Sequence, residues 1–230
     1  MTTETEAPAD QRAPLSRERV LRAAVQLADH GGIEAVSMRK VGNQLGVEAM
    51  SLYNHVANKE EMLDGMVDLV VGEIDQSQDA DDWQPAMRQR VLAAREVMVR
   101  HPWAAGVIES RINMSATMLQ YMDSAVGILL RGGFSLDLAH HALHALGSRI
   151  LGFNQELFDD SEGLEESPEV AALMMQQMTE EYPNISAMIG EVSHEGEPIG
   201  GKGCDDQVEF VFGLDLLLDG LEARRAASES

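Results

Sequence analysis

Cysteine occurs once in the 230 residues, at Cys204, so no disulfide can form within the chain. Proline is scarce, with 7 residues, and runs alternating apolar with polar residues are missing, which argues against a sheet-based fold. There is no stretch of about 18 apolar residues and no signal-peptide pattern, so the cytoplasm is the expected compartment. A P-loop, a dinucleotide glycine pattern and a G-x-S-x-G elbow are all missing, so neither an enzyme nor a cofactor is expected. Positive charge is short as well: 17 Lys and Arg stand against 39 Asp and Glu, a net charge of −22. A nonspecific architectural DNA protein needs far more basic residues than that.

Apolar residues make up 44% of the chain, enough for a packed core, and helical spacing dominates them. The expected fold is all-α, with a small N-terminal three-helix head and a larger helical body. Residues 1–14, acidic and holding Pro8 and Pro14, read as a disordered tail or as residues foreign to the folded protein. Residues 15–75 form the expected head with a linker helix, and 76–230 the expected effector-binding and dimerisation domain. Ser16 begins a first helix that Gly31-Gly32 ends. Asn58 and Glu61 form a capping box for a fourth helix reaching about Ile74. Asp82 is expected to cap the next helix, which His101-Pro102 breaks. Further helices are expected from about Asn113 to Leu130, from Ser135 to about Phe158, from Ser167-Pro168, and over about Asp205 to Arg224. Acidic 159–166 and glycine-rich 193–203 read as loops.

The most informative segment runs from Ser37 to Lys59. Ser37 is a good N-cap, and Met38, Val41 and Leu45 follow at helical spacing. Gly42 leaves room for a second helix, and Gly46 supplies the backbone freedom for a sharp exit. A second short helix starts near Glu48, with Val47, Leu52 and Val56 apolar and Ala49, Met50, Ser51, Asn54 and His55 on the other face. Two short helices, a glycine turn and a polar second face describe a helix-turn-helix, whose second helix suits a DNA major groove. The competing account is a packing unit with no DNA role. Charge is distributed in keeping with DNA binding: residues 16–59 hold six basic and four acidic side chains, whereas Gln76 onward holds ten and 26. A near-neutral head on an acidic body presents one end to phosphate and suppresses contact elsewhere.

The run Leu45-Gly46-Val47, Ser51-Leu52-Tyr53, His55-Val56 and Asn58-Lys59 resembles the DNA-binding head of the tetracycline-repressor family of bacterial transcriptional regulators. By that resemblance Arg39 reaches a base edge, while Tyr53, His55 and Lys59 grip phosphate. Ser51 is a further phosphate candidate, and Asn54 suits adenine if it points into the groove. Tyr53 as a packing residue and Lys59 as a solvated charge are the plain alternatives. Ala49 and Met50 depart from tetracycline repressors, which carry base-reading and groove-contacting side chains there. Alanine and methionine offer apolar contact only, as to a thymine methyl, so a different operator sequence is expected.

The body resembles the same family, most closely its tetracycline-responsive branch, in Gly133-Phe134-Ser135-Leu136, Leu151-Gly152-Phe153 and Phe212-Gly213-Leu214-Asp215. The last helix is apolar nearly all round, and the helix before Phe158 carries Leu143, Leu146 and Ile150 with Gly147 beside them. Dimerisation through Leu143, Leu146, Ile150, Val211, Leu214 and Leu218 is therefore expected, as in the family, with ordinary domain core as the alternative. A homodimer implies a palindromic double-stranded operator. The family further implies a small-molecule inducer inside the body, here a largely apolar one, with Trp103, Met114, Met118, His140, His144 and Phe153 as candidate contacts. Fourteen methionines suit an adaptable cavity or simply fill the core. The family's magnesium–tetracycline complex needs histidines near 110–113 and 73–75, where this chain has none. Arg111 is expected to pair with an acidic ligand or with Glu109. An alternative function is metal sensing, since Asp137, His140 and His144 share one helical face. A ligand-released repressor is the leading expectation.

Overall fold

The computed structural model describes residues 14–75, 82–111, 113–152, 176–192 and 206–228. Every regular element among them is helical. The chain clusters into two compact units, residues 1–154 with 213–230, and residues 155–212. The boundary expected between 75 and 76 falls within the first unit, whose head and body share a core. Apolar side chains from Val20 through Met66 and Val70 to Val97, Trp103 and Val107 form one continuous cluster.

The head begins with α1 (Arg17–Gly31), where Ser16 caps by accepting from the Arg19 amide at 3.2 Å. Its buried Val20, Leu21, Ala24 and Ala28 face α2 (Met38–Leu45) and α4 (Lys59–Gly72). Ser37 caps α2 in the same way, with its hydroxyl 3.3 Å from the Lys40 amide. Gly46 ends α2 at φ 69°, a left-handed conformation that costs glycine little. At Gly42 a Cβ would stand 2.9 Å from the Val47 carbonyl oxygen, so the next helix can sit this close only because the side chain is missing. That helix, α3, is shorter than expected, covering Ala49–Leu52. Residues 53–55 close as turns, and the buried Val56 donates its amide to Leu52 at 3.0 Å. The capping box is present with a twist: Asn58 accepts from the Glu61 amide at 2.8 Å, while Glu61 accepts from Ala57 at 2.7 Å.

From α4 the chain enters the body, where α5 (Trp83–Arg100), α6 (Ala104–Ser110) and α7 (Ala116–Arg131) pack on it and α8 (Leu136–Gly152) packs on those three. Asp82 occupies the N-cap of α5 without a side-chain cap bond. The short α6 has no mark in the sequence, because two turns carry too little periodicity. α7 starts at Ser115 rather than Asn113, with Ser115 accepting from Met118 at 3.1 Å. Ser135 caps α8 by accepting from Leu138 at 3.1 Å. In the smaller unit, α9 (Pro183–Val192) follows a helical turn at 176–181. The last helix, α10 (Asp206–Ser228), begins in that unit and ends in the larger one. Its second half lies along α5 through Arg88 to Asp215 at 2.7 Å and Gln84 to Asp219 at 3.0 Å. The expected tail, the loops at 159–166 and 193–203 and the helix start at Ser167-Pro168 lie outside the described residues, as does Cys204.

Trp83 anchors the far end of the body. Its ring meets Phe134 edge-on at 4.6 Å, and its indole donates to Glu222 at 3.1 Å. A Cβ at Gly132 would fall 2.5 Å from the Trp83 Cβ and 2.6 Å from its Cγ. These atoms lie close to the backbone of a buried residue and have little room to retreat. Gly132→Ala is therefore expected to lower stability by about 1–3 kcal/mol, read as a lower urea midpoint at unchanged slope.

Candidate DNA-reading surface and ligand cavity

The turn after α2 mounts α3 so that one face packs inward on Leu52 while the other stays open. On that open side lie Arg39, Met50, Tyr53, Asn54 and Lys59, all exposed, with Ala49, Ser51 and His55 half-buried beside them. Met50 is 74% exposed and Tyr53 47%, high values for such residues, and neither is needed by the core. Arg39, Lys40 and Lys59 form no ion pair among the described residues, whereas Arg17, Arg22, Arg88, Arg100 and Arg111 are each paired. Uncommitted cations and an exposed methionine around one short helix make a surface able to grip phosphate and touch base edges.

Helix α4 joins this surface to the interior of the body. Lys59 is its first residue, and Asp64, Val67 and Val71 along it face a cavity of 490 Å³. That volume lies within the range of small-molecule sites. Its wall is mostly apolar and includes five methionines: Met87, Met98, Met114, Met118 and Met122. Flexible thioethers let such a wall adapt to a guest. The polar groups on it are few, chiefly Arg90, Arg111, Asp64, Asn113 and Ser115. Arg111 pairs with Glu60 at 2.8 Å and Asp64 at 3.1 Å, so its partners are on α4, not the expected Glu109. Burial lowers the Arg111 pKa, but the bonds to Glu60 and Asp64 outweigh that and leave it raised.

Of the expected ligand contacts, Met114 and Met118 line this cavity. Trp103 does not: it is buried where α1 meets the body, donating its indole N–H to Asp29 at 2.7 Å. His140 is exposed on the outer side of α8, and His144 borders a smaller recess with Glu109 and Ser148. Phe153 lies outside the described residues. Sequence reasoning missed Arg90, although a basic residue on the apolar stripe of Met87, Val91, Ala94 and Met98 was a usable signal.

The residues expected to meet a second copy take these places within one protomer. Leu143, Leu146 and Ile150 line the cavity, and so does Gly147, where an added Cβ would meet no other element within 4 Å among the described residues. Leu214 and Leu218 are fully buried against the protomer's own core, and Val211 is half-buried. Exposed instead on α10 are Phe212 and Leu216, one turn apart. The metal reading finds no support. Asp137 lies 3.9 Å from His141, and the His140 and His144 rings pack edge-on at 4.6 Å. Among the described residues no three His, Cys, Asp or Glu are grouped to hold an ion.

A helix-turn-helix head carried by one helix into a body with a largely apolar cavity defines a DNA-binding transcriptional regulator. Residues 20–66 match the family of bacterial regulatory proteins called tetR, and residues 77–225 match the tetracyclin repressor-like C-terminal domain. The chain belongs to the tetracycline-repressor family. It is 29% identical to the transcriptional repressor DrrR1 of Streptomyces coeruleorubidus, over 90% of this chain and 77% of that one. It is 27% identical to the class D tetracycline repressor of Escherichia coli, over 94% and 93% of the two chains. Apo ActR from Streptomyces coelicolor superposes with a TM-score of 0.72 over 94% of this chain and 99% of its own, at 22% identity, a likeness of fold. No helix among the described residues is long and apolar enough to cross a membrane.

Proposed function

We propose that this chain is a cytoplasmic homodimeric repressor that leaves a palindromic operator when a small, largely apolar molecule enters each body cavity. One observation carries the reading: α4 bears Lys59 of the exposed head at its start and supplies Asp64, Val67 and Val71 to the cavity wall. Fourteen helical residues span about 21 Å, so a guest that displaces the α4 wall also displaces the head. Arg111, holding Glu60 and Asp64, is the contact through which a guest near the cavity mouth acts on α4. Because such coupling is reciprocal, operator DNA weakens ligand binding by the same factor that ligand weakens DNA binding.

In this reading Arg39 and Asn54 reach base edges, Ala49 and Met50 make apolar groove contacts, and Ser51, Tyr53, His55 and Lys59 hold phosphate. Two heads in two-fold symmetry sum their few phosphate contacts, which suits an anionic molecule that binds DNA at one end. The test is fluorescence anisotropy with promoter fragments flanking the protein's own gene, across a salt series. Lys59→Ala should weaken binding about tenfold and reduce the salt slope by about 1.8 per dimer, one phosphate per subunit. Tyr53→Ala should weaken binding similarly, with dimerisation untouched in both. Loss of the dimer in either variant would show that this face was misassigned.

A further inference from the structure

Five side chains of α5 face the cavity, and four of them are apolar: Met87, Val91, Ala94 and Met98. The fifth is Arg90, only 4% exposed. Its Nη1 donates to the Ser124 hydroxyl at 3.2 Å and its Nη2 to the Tyr121 carbonyl oxygen at 2.6 Å. The guanidinium lies over the Tyr121 ring, 4.2 Å from its centre. Both acceptors are neutral, and the buried Nε has no hydrogen-bond partner. No carboxylate among the described residues forms an ion pair with it, and the acid on the same wall, Asp64, is held by Arg111 at 3.1 Å.

A buried guanidinium normally sits against a carboxylate, because losing water without gaining a counter-charge is costly. Burial does push the Arg90 pKa down, yet an arginine remains charged at neutral pH. As a strut between α5 and α7 this residue is a poor choice, since a neutral amide would satisfy both acceptors at no charge cost. We propose that Arg90 is the counter-charge for an acidic effector: an apolar organic molecule fitting the 490 Å³ cavity and carrying one carboxylate or similarly acidic oxygen. A neutral carbonyl would fill the hydrogen-bonding vacancy but leave the charge uncompensated. The chain's net charge of −22 repels anions at long range, so selection for an acid requires a local cation of this kind. The inference rests on the ligand-responsive reading above.

Two fluorescent probes with the same aromatic body test it on the intact protein: anilinonaphthalene sulfonate, an anion, and phenylnaphthylamine, which is neutral. Wild type should bind the sulfonate about tenfold or more tightly than the neutral probe. Arg90→Met should erase that preference while retaining phenylnaphthylamine, and Arg90→Lys should keep part of it. Should the methionine variant fail to fold, wild type alone decides: decanoate displaces the bound sulfonate and equal decanol does not. Equal binding of the two probes by wild type, or a folded Arg90→Met that keeps its preference, overturns the proposal. If phenylnaphthylamine then releases DNA as well as the sulfonate does, the acid is wrong and the ligand-responsive regulator stands. If neither probe binds and neither affects DNA, both fall.

Discussion

Replacing Phe212 and Leu216 together by glutamate is expected to leave a folded monomer whose operator affinity is at least about a hundredfold weaker. The two residues are 62% and 58% exposed and lie four positions apart, on one face of α10. Large apolar side chains so placed are what a two-fold contact between copies needs. Burying each contributes about 1.5–3 kcal/mol, and symmetry doubles the number. Glutamate at both positions sets four carboxylates facing one another across the axis, in a chain already strongly anionic. Protomer stability should hardly change, because neither side chain serves the protomer's own core, unlike Leu214 and Leu218. Sedimentation gives the mass, circular dichroism the fold, and anisotropy the operator affinity. A variant that still sediments as a dimer would place the interface elsewhere.

The same helix shows what periodicity can and cannot reveal. Spacing of three and four along Leu214, Leu218 and Leu221 correctly marks an apolar stripe, but a stripe does not say what lies opposite. Here the stripe is core, because Asp215, Asp219 and Glu222 next to it tie α10 to Arg88, Gln84 and Trp83. On α8 the stripe likewise turns inward: Leu143, Leu146 and Ile150 line a cavity of the same protomer, and the histidines are exposed. Local chemistry was far more legible. Ser16, Ser37, Asn58 and Ser135 cap where their hydroxyl or amide oxygens predict, and Gly46 takes the one backbone region that glycine favours. Caps and tight turns are decided within a few residues, so the chain itself carries the information. The junction of head and body depends instead on pairs such as Asp29 with His101 and Trp103, more than seventy positions apart. No short motif announces them.

That junction supports the other large effect. Asp29, in the last turns of α1, accepts from the Trp103 indole at 2.7 Å and lies 2.8 Å from the His101 Nδ1. Across the same ring, Nε2 is 3.3 Å from Glu73, just past the end of α4, and Arg100 donates to Glu73 at 2.8 Å. His101 and Trp103 are both buried, so their ring nitrogens have no water to fall back on. Asp29→Ala removes the acceptor of one buried donor and the partner of another, and should cost about 3 kcal/mol. Asp29→Asn keeps an oxygen for the indole and should lose about half as much. Urea unfolding measures both. The functional consequence follows from the position of the pair: losing the Asp29 carboxylate loosens the tie between α1 and the body, and displacement of α4 then reaches the head less faithfully. Operator binding by Asp29→Asn should survive, while its release by any cavity-binding probe becomes weaker than in wild type. An Asp29→Ala protein as stable as wild type, with unaltered release, would mean that this corner neither fastens nor couples the two parts.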